Sequence, residues 1–272
     1  MTTARSNPIE RKAEIMRAEA ETGKVLQLTL ADDTQAALDF TLDPELLHQN
    51  LVLGFEAGGP QVHPFFALRS QIWKHAQATQ QRTFAVTSVQ PGDGKTHVAV
   101  NLASVLSRIH PTVLVELDLR RPSVGERLGL PDEHAGVDDY LAGTATLAQS
   151  AIRAAGFNLT IHRVRCPNAA PEKLLASPRL AEMIKAIGAM EGNPICIVDT
   201  PPAVVHDDMM LILPSTDGIL MVVQEGKTSR NALSDTISSL APTPTIGTIL
   251  NMSISNPRPI RGYEYYYNYG AA

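Results

Sequence analysis

From about residue 64 onward, short aliphatic and β-branched runs alternate with longer stretches in which apolar residues recur every three or four positions. The runs at 83–88, 112–117, 159–164, 195–198, 218–223 and 245–250 are of strand length and largely apolar, the pattern of strands covered on both faces. Helical spacing falls at 64–77, through Phe65, Leu68, Ile72 and Trp73, and again near 96–108, 170–187 and 229–240. This alternation predicts an α/β fold, a doubly wound and mostly parallel sheet with helices on both faces, in three layers. Ligands of such sheets bind at the carboxyl ends of the strands.

Outside 63–255 the pattern fades. Residues 1–62 are polar, weakly periodic and end in Ala57-Gly-Gly-Pro60, so they are expected to form a partly ordered N-terminal extension with one helix and a short extended stretch near 24–30. After Asn251 the run Ser-Ile-Ser-Asn-Pro-Arg-Pro suits neither a helix nor a central strand. Residues 256–272 are therefore expected to be a mobile tail. Five of the six tyrosines lie there: Tyr263, Tyr265, Tyr266, Tyr267 and Tyr269.

Composition narrows the class. The 272 residues, 44% hydrophobic and 19% charged, are enough for a large buried core and resemble neither a disordered polymer nor a membrane bundle. A formal net charge of -5 argues against nucleic acid as a partner. Cys166 and Cys196 show no CxxC spacing, which excludes a disulfide framework. The N-terminal segment has no apolar signal core, and no apolar run approaches the roughly 20 residues of a spanning helix. The expectation is a cytoplasmic protein whose contact with a membrane comes through a partner.

The chemistry concentrates in Thr87-Ser-Val-Gln-Pro-Gly-Asp-Gly-Lys-Thr96, which follows a predicted strand and opens a predicted helix, the setting of a P-loop. Gly92 and Gly94 allow backbone N–H groups to curl around phosphate, Lys95 reaches toward the β- and γ-phosphates, and the Thr96 hydroxyl suits Mg²⁺. The loop is a variant, with Val89 where the first glycine of GxxxxGK[ST] would fall and Pro91 imposing its own geometry. A dinucleotide fold competes, since Gly92-x-Gly94 precedes Glu116 by a suitable distance, but His97 stands where the third glycine would be.

Glu116 and Asp118 end the next predicted strand at a spacing of two, on one face. Asp199 ends the apolar run Pro194-Ile-Cys-Ile-Val-Asp199, as a magnesium-supporting acid of a phosphoryl-transfer site does. A structural alternative has Glu116 and Asp118 capping the strand end and pairing with Arg120 or Arg121.

The loop Ser88 to Thr96, the run Val113-Leu-Val-Glu-Leu-Asp-Leu-Arg-Arg-Pro122, the run Ile197-Val-Asp-Thr-Pro-Pro202 and the tyrosine cluster together resemble the bacterial tyrosine kinases of capsule and exopolysaccharide synthesis, relatives of the MinD/ParA-like P-loop NTPases. The likeness covers roughly residues 63–269. It implies an ATP-dependent tyrosine autokinase that phosphorylates its own C-terminal tyrosines and regulates polysaccharide polymerisation and export.

The resemblance further implies that ATP is held by Pro91, Gly92, Asp93, Gly94, Lys95, Thr96, His97 and Asn251, and Mg²⁺ by Thr96, Asp118 and Asp199. It gives Lys95, Glu116, Asp118 and Asp199 catalytic roles. Implied partners are a membrane-embedded polysaccharide co-polymerase whose cytoplasmic segment activates the kinase, a phosphotyrosine phosphatase and further copies of the chain. Two positions depart from the family. Glu116 replaces an aspartate, and the family's ExxRxxR interface helix falls on His63, Phe66 and Arg69, where only the last position is kept.

A phenol with a pKa of about 10 needs help to lose its proton at neutral pH; Glu116 is the first candidate base and Asp118 the second. One alternative is a positioning ATPase of the MinD/ParA kind, which carries a lysine early in the loop where this chain has Pro91. Another is a catalytically weak ATP-binding regulator of the export machinery.

Overall fold

A computed structural model describes residues 37–253. The tail, its five tyrosines and the stretch near 24–30 lie outside the described residues. Eight strands form one sheet: β1 (Leu38–Phe40), β2 (Thr83–Ser88), β3 (Thr112–Glu116), β4 (Ile152–Ala154), β5 (Leu159–His162), β6 (Ile195–Asp199), β7 (Gly218–Gln224) and β8 (Thr245–Asn251). Their spatial order is β1-β4-β5-β3-β6-β2-β7-β8. Every neighbouring pair is parallel except β4 with β5.

The predicted α/β fold is observed. Every residue of β2, β3 and β6 is buried, as strands sandwiched between helical layers require. Helices His63–Thr79 and Lys95–Ser107 pack on one face around Ile72, Ala76, Leu102 and Leu106. Helices Val137–Ala142 and Pro178–Gly188 cover the other around Leu141, Leu180, Met183 and Ile187. The helical pattern expected across 170–187 is two helices, Glu172–Leu175 and Pro178–Gly188, because Pro178 starts a new helix and disfavours helical backbone at Ser177. The Ser177 hydroxyl caps the second by accepting from Arg179 N.

Residues 37–62, expected as part of an extension, are joined to the core. β1 pairs with β4, helix Pro44–Gln49 follows, and Leu42, Leu47, Val52, Leu53 and Val62 are buried. Asn101, wholly buried in helix Lys95–Ser107, accepts from Leu53 N at 2.8 Å and Gly54 N at 3.0 Å and donates to Leu51 O at 3.0 Å. A buried amide satisfied by three backbone groups fixes that segment against the helix that opens at the loop.

Candidate functional site

Three carboxyl-terminal strand ends, those of β2, β3 and β6, meet at the mouth of the sheet. The loop after β2 turns through Gly92 (φ 84°) and Gly94 (φ 92°), a backbone region that glycine enters without strain. A Cβ on Gly94 would collide with Asn251 Nδ2, which donates to Asp93 O at 2.9 Å. Asp93 is fully buried and braces the loop from within, accepting from Gln90 N at 3.0 Å. Lys227 closes from outside, 3.5 Å from Asp93 Oδ1 and 3.1 Å from Pro91 O.

A cavity of about 530 Å³ opens over this loop, within the range of small-molecule and cofactor sites. Pro91, Gly92, Gly94, Lys95, Thr96, His97, Asp118 and Asn251 all line it. Asp93 and Asp199 stand behind the lining.

Lys95 is the hub. Its Nζ lies 2.7 Å from Asp118 Oδ2, 3.7 Å from Asp199 Oδ1 and 3.2 Å from Thr96 Oγ1. Burial pulls its pKa down, but Asp199, Asp118 and Glu116 together carry it above the ordinary lysine value. Asp118 Oδ1 also accepts from Arg121 N at 3.0 Å. Both Asp199 oxygens are buried without a well-formed hydrogen bond. Burial raises the Asp199 pKa, with nearby Lys95 and Thr96 opposing.

A buried carboxylate with unspent lone pairs, a second carboxylate and a hydroxyl fit a hard divalent cation that takes its remaining ligands from phosphate and water. Among the described residues, no cluster of three or more His, Cys, Asp or Glu is arranged to hold a metal unaided.

Glu116 requires a correction. It is fully buried and does not line the cavity. Its Oε1 accepts from Ser123 N at 2.5 Å and Val124 N at 2.8 Å, and its Oε2 from Val164 N at 2.9 Å. The carboxylate therefore reaches the backbone of two loops. Burial, and then Asp199, push its pKa up to about 7 against the pull of the three N–H groups. Glu116 thus braces two loops from within, and the strand-end carboxylate that lines the cavity is Asp118.

Other residues around the cavity were given no binding role from the sequence, where Arg120 and Arg121 were expected only as alternative pairing partners of Glu116 and Asp118. Arg120 forms a two-pronged pair with Asp208 at 2.8 and 3.1 Å and meets Glu172 at 2.6 Å, tying the cavity wall to the helices that follow. Arg121, Arg127 and His206 add positive or titratable lining, and Leu51, Val205 and Met252 an apolar rim. The adjacent pair Arg120-Arg121 was a visible signal; the rest depend on the fold. At the positions where the family's interface motif falls, the Arg69 and Arg108 guanidinium groups lie 4.9 and 5.8 Å from the Phe66 ring centroid.

No protein-family model matches the chain. Several of its curated relatives are named bacterial tyrosine-protein kinases, as the sequence resemblance implied. The chain is 29% identical over 205 residues to the tyrosine-protein kinase wzc of Salmonella typhimurium, covering 74% of this chain but 28% of that protein. It is 25% identical to YwqD of Bacillus subtilis, a tyrosine-protein kinase, across 82% of this chain and 92% of that protein. It is also 27% identical to the succinoglycan biosynthesis transport protein ExoP of Rhizobium meliloti, across 65% of this chain and 23% of that one. The chain thus spans less than a third of the first of these relatives.

Among solved structures, the kinase domain of the Escherichia coli tyrosine kinase ETK superposes with a TM-score of 0.66 at 22% identity, covering 75% of this chain and 82% of that one. The septum site-determining protein MinD of Pyrococcus horikoshii, solved with Mg-ADP, gives 0.52 at 23% identity, covering 67% and 76%. The fold is the one these P-loop proteins share.

Proposed function

We propose that the protein is an ATP-dependent protein-tyrosine autokinase of polysaccharide synthesis that modifies its own C-terminal tyrosines. The observation that carries this is Lys95, held at the start of a helix between Asp118 and Asp199 beneath a glycine-turned loop. Similarity to tyrosine-protein kinases and to a succinoglycan transport protein supports the reading.

In this reading the backbone N–H groups around Gly92 and Gly94, together with Lys95, hold the phosphates of ATP. Thr96, Asp118 and Asp199 hold Mg²⁺, which when bound neutralises phosphate charge. The γ-phosphorus parts from its bridging oxygen, leaving ADP, as a tyrosine phenol oxygen bonds to it. Asp118 takes the phenolic proton, the task expected first of Glu116. The activating partner is a membrane-embedded polysaccharide co-polymerase, and a phosphotyrosine phosphatase reverses the modification. Among the described residues no helix is long and apolar enough to cross a membrane, in keeping with a cytoplasmic enzyme recruited by that partner.

The test is incubation with Mg-ATP, with and without a co-polymerase cytoplasmic segment, followed by phosphotyrosine detection. Lys95→Ala and a chain cut after Pro259 are expected to be silent. Signal that survives Lys95→Ala refutes the proposal. ATP hydrolysis with no phosphotyrosine favours the MinD-like switch, whose fold the chain shares.

A further inference from the structure

Three arginines follow β3 along one wall of the cavity, and they differ in what they already hold. Arg120 is committed to Asp208 and Glu172. Arg121 is exposed to solvent. Arg127 is partly buried, lines the cavity, and has its Nε sealed from solvent with no hydrogen-bond acceptor. Among the described residues, no carboxylate comes within ion-pair distance of it. Buried guanidinium N–H groups without an acceptor also occur at Arg69, Arg82 and Arg163, but of these four arginines only Arg127 lines the cavity; an unmet N–H costs about 1–3 kcal/mol, which an anion bound in the cavity would offset.

The backbone that carries Arg127 is fixed from several sides. Helix Val124–Leu128 begins where Glu116 accepts from Ser123 N and Val124 N, and ends at Gly129 with φ 64°. Asn50 Nδ2 donates to Arg127 O at 3.1 Å and to Glu126 O at 3.3 Å. The positive charge is felt at Asp199, the carboxylate Lys95 also approaches, and at His97, whose pKa falls through burial first and Arg127 second. Lys95 and Arg127 thus line the same cavity, and both act on Asp199.

We propose that Arg127 is a phosphate-contacting arginine supplied within the chain, reserved for the terminal phosphate of a nucleoside triphosphate. The proposal rests on the nucleotide-binding reading above and adds a residue to it. A planar guanidinium fork matches a phosphate better than a point charge does. The loop and Lys95 serve both di- and triphosphate, which leaves a further lining cation for the outermost group.

The test compares binding of Mg-ADP and of the Mg-bound β,γ-imido analogue of ATP by calorimetry, for wild type, Arg127→Gln and Arg127→Lys. Loss of one charge-assisted contact should weaken triphosphate binding by ~10- to 100-fold in Arg127→Gln, leave ADP within ~3-fold, and be partly restored in Arg127→Lys. The ligand-free melting temperature should not fall, since the side chain makes no bond that the variant breaks. Unchanged binding of both nucleotides overturns the proposal. So does an equal loss of both, or an effect confined to the KM of a tyrosine acceptor. If the wild-type chain binds neither nucleotide, the kinase reading itself fails, so the two failures are distinguishable.

Discussion

Shortening Glu116 to aspartate, the residue the kinase family carries, should damage this protein rather than improve it. The Glu116 carboxylate receives three backbone N–H groups from two loops, and the bonds from Val124 and Val164 are buried, so no water replaces an acceptor lost there. A carboxylate one methylene shorter cannot span Ser123 and Val124 on one side and Val164 on the other. At about 1–3 kcal/mol for each buried donor left unpaired, losing two contacts costs about 2–6 kcal/mol. With roughly 2–4 °C per kcal/mol for a domain of this size, the melting temperature should drop by about 4–24 °C. Differential scanning calorimetry and urea melts of Glu116→Asp against wild type measure this, alongside autophosphorylation rates. The cavity wall bearing Arg121, Ser123 and Arg127 hangs on the same bonds, so ATP affinity should fall with stability. A variant that melts within a degree or two of wild type and turns over as fast or faster would refute the scaffold role and return Glu116 to candidacy as the base.

Acid should unfold the protein partly through His162. Burial first, and His134 second, lower its pKa to about 4, and its Nε2 is buried without a partner. Neutral His162 therefore contributes full stability above about pH 6.5, and about 3 kcal/mol is lost as pH falls toward 4; urea melts across that range should flatten in His162→Gln if this is right. Gly94→Ala should abolish nucleotide binding while leaving a folded chain, because φ 92° and the Asn251 amide together exclude a Cβ. Calorimetric titration with ADP checks it, and near-normal affinity would show that the loop is not the phosphate cradle.

The central sheet was legible because its strands carry continuous apolar runs: Phe84, Ala85 and Val86 in β2 and Ile195, Cys196 and Ile197 in β6 declare burial on both faces. β1 and β4 were not, because Leu38-Asp39-Phe40 and Ile152-Arg153-Ala154 are three residues long with a charged centre. Those centres pair with each other, Arg153 Nε meeting Asp39 Oδ1 at 2.8 Å, a fact that exists only once the strands are adjacent. The loop, Lys95, Asp118 and Asp199 converge as their positions in the α/β alternation predicted. Spacing placed Glu116 beside Asp118 but was silent on where a longer side chain ends. Arg127 was invisible for a related reason: it stands out as an arginine with an unmet buried N–H on the cavity wall, and both features are tertiary properties.

Lys95 has two claims on its single charge, and they predict how nucleotide binding depends on a divalent cation. In the structure its ammonium neutralises Asp118 at 2.7 Å and is the nearest cation to Asp199 at 3.7 Å. A phosphate placed over the loop draws the ammonium toward itself, leaving two nearly dry carboxylates facing each other. Removing the cationic partner of a buried acid costs about 3–5 kcal/mol, unless another cation occupies the place that Thr96, Asp118 and Asp199 define. At about 1.4 kcal/mol for each factor of ten, ADP should bind roughly 100-fold or more weakly in EDTA than in millimolar Mg²⁺. Asp199→Asn removes one of the stranded charges, so in that variant the ratio should shrink, chiefly because the EDTA affinity rises. Equal ADP affinity with and without the metal in wild type would mean that Lys95 serves phosphate and carboxylates at once, and that the two acids are held for structure alone.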